Sequence, residues 1–126
     1  MKIEHTALYV KDLEQTKDFF VQFFGAKAGS RYDNKVTCFS SYFLSFQEGS
    51  RLEIMTRPQL VSQTNALHTG YVHVAFSVGS TLAVDQLTNR LQLAGYTVVS
   101  GPRRTGDGYY ESCVQGPEQI LIEITE

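Results

Sequence analysis

His5-Thr6-Ala7-Leu8-Tyr9-Val10 returns 68 residues later as His73-Val74-Ala75-Phe76-Ser77-Val78. Leu52-Glu53-Ile54 returns 70 residues later as Ile122-Glu123-Ile124, and Gly25 has a counterpart at Gly95 by the same offset. Phrases that recur at a nearly constant offset mark a duplicated structural unit. Each copy sets one His on its first strand and one Glu on its last. Together the copies offer two imidazoles and two carboxylates, a donor set suited to a divalent metal.

Read outward from these phrases, residues 3–10 alternate as a strand. Ile3, His5, Ala7 and Tyr9 share one face; Glu4, Thr6, Leu8 and Val10 share the other. Asp12 suits the N-cap of the helix that follows. Leu13, Thr16, Phe20, Phe23 and Phe24 form its less polar stripe, and Gly25 stops it. Strands are expected near Ala28–Tyr32, Val36–Phe46 and Arg51–Thr56, with turns at Asp33-Asn34 and Glu48-Gly49. Residues 58–70 are polar and aperiodic and read as a connection.

The second half repeats this order. Val72, Val74, Phe76 and Val78 alternate with His73, Ala75 and Ser77, and Ser80 caps a helix. That helix carries Ala83, Leu87, Leu91 and Ala94 on one face and is closed by Gly95. Strands follow near Thr97–Ser100, Tyr109–Gln115 and Gln119–Thr125. The expected organisation is one α+β domain over 1–126, built of two tandem βαβββ modules, 1–57 and 71–126, joined by 58–70. One such module leaves much apolar surface uncovered, which pairing two of them relieves.

Strand parity locates the polar residues. His5 faces away from Leu8 and Val10, Glu53 from Leu52 and Ile54, and Glu123 from Ile122 and Ile124. All four polar side chains, His73 included, are therefore expected on the sheet face away from the helices. Singly, each is an ordinary feature: a solvated or hydrogen-bonded His, or the outward member of an alternating strand. Placed at matching points of a duplicated unit, they point to a cation, which would compensate two carboxylates sharing one cavity.

Composition narrows the function classes. The chain has 126 residues, 42% of them hydrophobic and 12% aromatic, enough to bury a core. Net charge is −2 with eleven scattered Lys and Arg, which gives no reason to expect nucleic acid as a partner. No apolar run approaches the roughly 18 residues that a membrane span needs. Met1-Lys2-Ile3-Glu4-His5 is strand-like and lacks a signal-peptide profile, so a cytoplasmic protein is expected. Cys38 and Cys113 fall within expected strands without a CxxC pair, and read as buried thiols rather than a disulfide.

Two nitrogens and two oxygens suit Ni²⁺, Zn²⁺, Co²⁺, Mn²⁺ or Fe²⁺, with positions left for water or substrate. Such an ion polarises a carbonyl or stabilises an enediolate oxygen, and a carboxylate released from it can take an α-proton. Glu123 is the first candidate for that base, and Glu53 the second.

These residues resemble the vicinal oxygen chelate superfamily, which includes glyoxalase I, methylmalonyl-CoA epimerase, extradiol dioxygenases, fosfomycin-resistance enzymes and bleomycin-binding proteins. The matching features, in order, are the His5-Thr6 strand, Arg51-Leu52-Glu53-Ile54, His73-Val74-Ala75-Phe76, and Gly116-Pro117-Glu118 leading into Ile122-Glu123-Ile124. The resemblance spans the whole chain and implies curled mixed sheets enclosing a cavity. A four-ligand set with Glu in the first half is similar to that of glyoxalase I and the epimerases. It implies His5, Glu53, His73 and Glu123 as metal ligands, with Glu123 or Glu53 shuttling a proton as a hemithioacetal becomes a thioester. It further implies a small-molecule substrate and a homodimer, with the ligands supplied by one chain or shared between two.

Three positions depart from the family pattern. Tyr9 stands where an Arg commonly binds the thiol peptide, Arg57 where an Asn is common, and Gln119 where a Gly is usual. The match therefore does not extend to the positions that would bind glutathione, and the thiol stays open. Tyr9 and Arg57 remain candidate substrate contacts, as do Arg103 and Arg104 in the Gly101–Gly108 segment, which reads either as a lid with an anion site or as a solvated hairpin connection. His68, in the connection, reads as solvated, and the Phe19-Phe20 and Phe23-Phe24 pairs as core or dimer packing. An alternative function is a metal-independent small-molecule-binding protein of the same fold, in a resistance or sequestering role. A non-haem iron dioxygenase is disfavoured by the presence of both Glu53 and Glu123.

Overall fold

The computed structural model describes residues 1–62 and 69–126. Within the connection, residues 63–68, His68 among them, lie outside the described residues; the flanking stretches of the connection carry neither helix nor strand. The chain divides into two units, Met1–Ser62 and Gln63–Glu126.

In the first unit the order is β1 (His5–Tyr9), α1 (Leu13–Phe24), β2 (Lys27–Ala28), β3 (Tyr32–Asn34), β4 (Phe39–Ser45) and β5 (Arg51–Thr56). Asp12 caps α1 as expected, its side chain accepting from the Gln15 amide, and Gly25 ends it at φ 65°. A left-handed residue at this point costs glycine little. The sheet runs β1-β5-β4-β2, with β3 also paired to β4. β1 lies parallel to β5, and β4 antiparallel to it.

In the second unit β6 (Val74–Ser77), α2 (Thr81–Leu93), β7 (Thr97–Arg104), β8 (Tyr110–Gln115) and β9 (Leu121–Thr125) form a sheet ordered β6-β9-β8-β7. β6 is parallel to β9, and β8 antiparallel to it. The duplication is therefore visible strand by strand: β1-β5-β4 answers to β6-β9-β8. The outermost strand, continuous in the second unit as β7, is broken in the first into β2 and β3.

Each helix covers one sheet face. Phe20, Leu44 and Ile54 are fully buried in the first unit, as are Val84, Leu91, Val114, Ile122 and Ile124 in the second. Each such side chain contributes roughly 1.5–3 kcal/mol on leaving water. Two details of the helix stripes differ from expectation. Phe19, at 2% exposure, is buried where Phe24 was expected. In α2 the buried stripe is Val84, Leu87, Thr88 and Leu91, while Ala94 is exposed. Thr88 can be buried because its hydroxyl donates to the Val84 carbonyl at 2.6 Å and accepts from Ser112 of β8 at 2.6 Å.

Three further expectations are corrected. β4 begins at Phe39, because the Asn34 side chain accepts from the amides of Val36 and Thr37 and turns the chain over 35–38. Cys38 lies in that turn at φ 53° and is exposed, so it is neither in a strand nor buried; Cys113 is partly buried in β8, and both are free thiols. Gly101–Arg104 belongs to β7, so the hairpin connection is confined to 105–109. Pro102 is accommodated because β7 is an edge strand, where a missing amide donor leaves no interior ladder broken.

The 3₁₀ turn Pro117–Gln119 precedes β9, which begins at Leu121. Gln119, where the family pattern has Gly, sits at φ 68°, the conformation for which glycine is preferred. Among the described residues no helix is long and apolar enough to cross a membrane.

Candidate metal and substrate site

In the first unit, strand register sets the geometry. β1 and β5 pair as His5 with Arg51, Ala7 with Glu53, and Tyr9 with Met55. Leu52 and Ile54 are 3% and 0% exposed on the helix side, so Glu53 is turned to the other side. On β4 the residue directly across from Glu53 is Phe43, while on β1 it is Ala7, too short to fill the space on that side of the carboxylate. His5, two residues back on the same face, brings its Nε2 to 4.0 Å from Glu53 Oε2.

The second unit repeats this register. Ala75 pairs with Glu123, between the buried Ile122 and Ile124, and His73 again stands two residues before the alanine. Its Nε2 lies 3.5 Å from Glu123 Oε2. Each unit thus brings together one His and one Glu. Among the described residues no group of three or more His, Cys, Asp or Glu is placed to hold a metal ion.

The chemistry and spacing of each pair suit a divalent ion. Two donors bound to one ion at about 2.1 Å stand about 3–3.4 Å apart. The His73–Glu123 separation of 3.5 Å is close to this, and the His5–Glu53 separation of 4.0 Å is somewhat longer. Imidazole nitrogen and carboxylate oxygen are a borderline donor pair, suited to Zn²⁺, Ni²⁺, Co²⁺, Mn²⁺ or Fe²⁺.

Around His5 the structure adds residues that sequence reasoning did not assign to the site. His5 Nδ1 contacts Glu4 Oε2 at 2.5 Å, and Arg51 donates from Nε to Glu4 Oε1 at 2.8 Å. These two partners, the imidazole first and the guanidinium next, hold the Glu4 carboxyl below the usual carboxylate range. The His5 ring meets Phe43 edge-on with centroids 5.3 Å apart, while the Arg51 guanidinium lies 4.1 Å over the same Phe43 ring. In the second unit, Cys113 is the residue directly across from Glu123 on β8. Burial, then the nearby Glu123 and Glu111 charges, push its thiol up, so it is mainly protonated at neutral pH.

The candidate substrate contacts separate into two groups. Tyr9 is half exposed on the His5 face, and Arg57 is exposed just beyond β5. Arg103 pairs with Glu111, whose parity on β8 matches that of Cys113, so its Cα position is on the Glu123 face. Arg104 lies on the opposite, helix-facing side. It pairs with Tyr110, whose hydroxyl donates to Asp85 of α2, and its Nη1 donates to the Gly108 carbonyl and to Glu126. The structure thus gives Arg103, but not Arg104, a position from which to meet a substrate near Glu123.

Fold and paired residues together define the class of protein. The chain belongs to the glyoxalase/bleomycin resistance protein/dioxygenase superfamily, whose family model matches residues 2–124. Among its relatives, the uncharacterized protein YqjT of Bacillus subtilis (strain 168) is 28% identical over 128 residues, covering 97% of this chain and 96% of that one. Of the solved structures, the trypanothione-dependent glyoxalase I of Leishmania major matches with a TM-score of 0.80 at 19% identity, covering 100% of this chain and 86% of that one. The fosfomycin resistance protein FosX of Listeria monocytogenes matches with a TM-score of 0.72 at 24% identity, covering 98% and 88%. These likenesses establish the α+β fold with two mixed sheets and two helices.

Proposed function

We propose that the protein is a metal-dependent isomerase or lyase of glyoxalase I type, acting on a hemithioacetal or a related small carbonyl compound. The observation that carries this reading is the repeated register: in both units a Glu lies across from an Ala, with a His imidazole within 4.0 Å. Members of the superfamily typically use divalent metals. His5, Glu53, His73 and Glu123 serve as the ligand set, in one chain or across a homodimer. A divalent ion held there supplies Lewis-acid polarisation of the substrate oxygens.

The chain's own residues supply the rest. Glu123 takes the proton from the carbon that bears sulfur and hydroxyl, and returns it to the neighbouring carbonyl carbon. One C–H bond breaks and another forms; the hydroxyl proton leaves the oxygen beside sulfur, which becomes the thioester carbonyl, and a proton is gained by the former carbonyl oxygen, which becomes the hydroxyl. Glu53 is the second candidate for this shuttle. Arg103 and Tyr9 border the substrate, the guanidinium suiting an anionic group.

The test is turnover of methylglyoxal premixed with a series of thiols, with Ni²⁺ or Zn²⁺ and with chelator. The expected result is thioester formation with at least one thiol, abolished by chelator and restored by metal. Ligand binding indifferent to chelator, with no turnover of any aldehyde–thiol pair, would favour a metal-independent small-molecule-binding protein of the same fold.

A further inference from the structure

We infer that Glu4 is a positioning residue for His5, selecting the imidazole tautomer that leaves Nε2 open toward Glu53. The inference rests on the metal-binding reading proposed above, and it assigns a role to a residue outside the ligand set.

A neutral imidazole carries one N–H, and the nitrogen that holds it is decided by the hydrogen bond that the ring makes. His5 Nδ1 lies 2.5 Å from Glu4 Oε2. An ionised carboxylate only accepts, so the proton resides on Nδ1. The other ring nitrogen then presents its lone pair on the side of Glu53 Oε2, 4.0 Å away.

Glu4 is itself held. Arg51 reaches Glu4 Oε1 from Nε at 2.8 Å and from Nη2 at 2.5 Å, which leaves Oε2 for the imidazole. The guanidinium also lies over Phe43, whose ring meets the His5 ring edge-on. Arg51–Glu4–His5 is therefore a chain of charge-assisted contacts ending at the candidate ligand nitrogen. A carboxylate behind a ligating imidazole fixes both ring orientation and tautomer.

The arrangement belongs to one unit only. The residue preceding His73 is Val72, whose side chain has no hydrogen-bond acceptor. His73 thus serves as an internal control in the same molecule.

The test reads the tautomer without metal. Nitrogen-15 spectra of the chelator-stripped protein are recorded at a pH where the imidazoles are neutral, with His5 assigned by the loss of its signals in His5→Gln. The expected result is His5 protonated on Nδ1, shifting toward a mixture of tautomers in Glu4→Ala, with His73 unmoved. Glu4→Gln, which keeps an acceptor oxygen, restores most of the Nδ1–H form. Ni²⁺ affinity is expected to fall about tenfold in Glu4→Ala, the low end for an outer-shell partner because Glu4 is solvent-accessible.

A His5 protonated on Nε2, or a tautomer unchanged by Glu4→Ala, would overturn the inference even in a protein that binds Ni²⁺ tightly. A Glu4-dependent tautomer in a protein that binds no Ni²⁺ would support the role of Glu4 and overturn the metal reading instead.

Discussion

Glu123→Gln is expected to reduce hemithioacetal turnover about a thousandfold, the order of effect of removing a positioned general base. The substitution is close to isosteric, and the buried Ile122 and Ile124 on either side keep the β9 backbone in place. At saturating metal, which offsets the lost anionic ligand, what remains lost is basicity: an amide oxygen accepts hydrogen bonds but does not carry a proton between carbons. Far-UV circular dichroism and the unfolding midpoint should stay near wild type while kcat falls. Glu53→Gln, measured beside it, separates the two carboxylates. The larger fall in kcat identifies the proton carrier, and full activity in Glu123→Gln would remove it from that role.

Gly101→Ala is expected to destabilise the second unit by about 3 kcal/mol, combining left-handed strain with overpacking. Gly101 sits at φ 76°, and a Cβ there would lie 2.5 Å from the Glu111 carbonyl oxygen and 3.0 Å from the Ser112 Cα. Both are backbone atoms of the neighbouring strand, so relief requires moving β7 or β8 rather than turning a side chain. The β7–β8 register shifts between Val98 and Ser100 and again between Ser100 and Arg103. Those irregularities set which arginine lies on the Glu123 face. Urea unfolding of the variant measures the loss, and a change below about 1 kcal/mol would contradict this account of the strand. A substrate that uses Arg103 should also show a raised KM in the folded fraction.

The paired ligand candidates were legible because alternation is robust inside regular strands. Leu52 and Ile54 are deep in the core, so Glu53 had to face outward; Ile122 and Ile124 force the same on Glu123. The nearly constant offset then carried one His–Glu pair onto the other. Glu4 was not legible, since alternation places it on the helix side with Thr6 and Leu8. The Glu4 carbonyl still accepts from the Arg51 amide, yet at the strand's very start its carboxylate reaches the imidazole of the adjacent His5.

Elsewhere, local signals were outweighed by tertiary ones. Gly101 and Pro102 read as loop residues, yet an irregular edge strand accommodates both. Arginines 103 and 104 were indistinguishable without the register, because bulges reset parity. Thr88 was absent from the expected stripe of apolar residues, but its two hydrogen bonds allow it to join the core stripe of α2. Cys38 read as part of a strand because the side-chain cap from Asn34 leaves no periodic trace.

The central proposal is that His5, Glu53, His73 and Glu123 are ligands of a divalent ion. Its most direct test is calorimetric titration of Ni²⁺ and Zn²⁺ into chelator-stripped protein, beside His73→Ala. The account predicts tight binding at a whole-number stoichiometry in the wild type, lost in the variant while its fold persists. Absence of binding by a folded wild-type protein, or equal binding by His73→Ala, would contradict it.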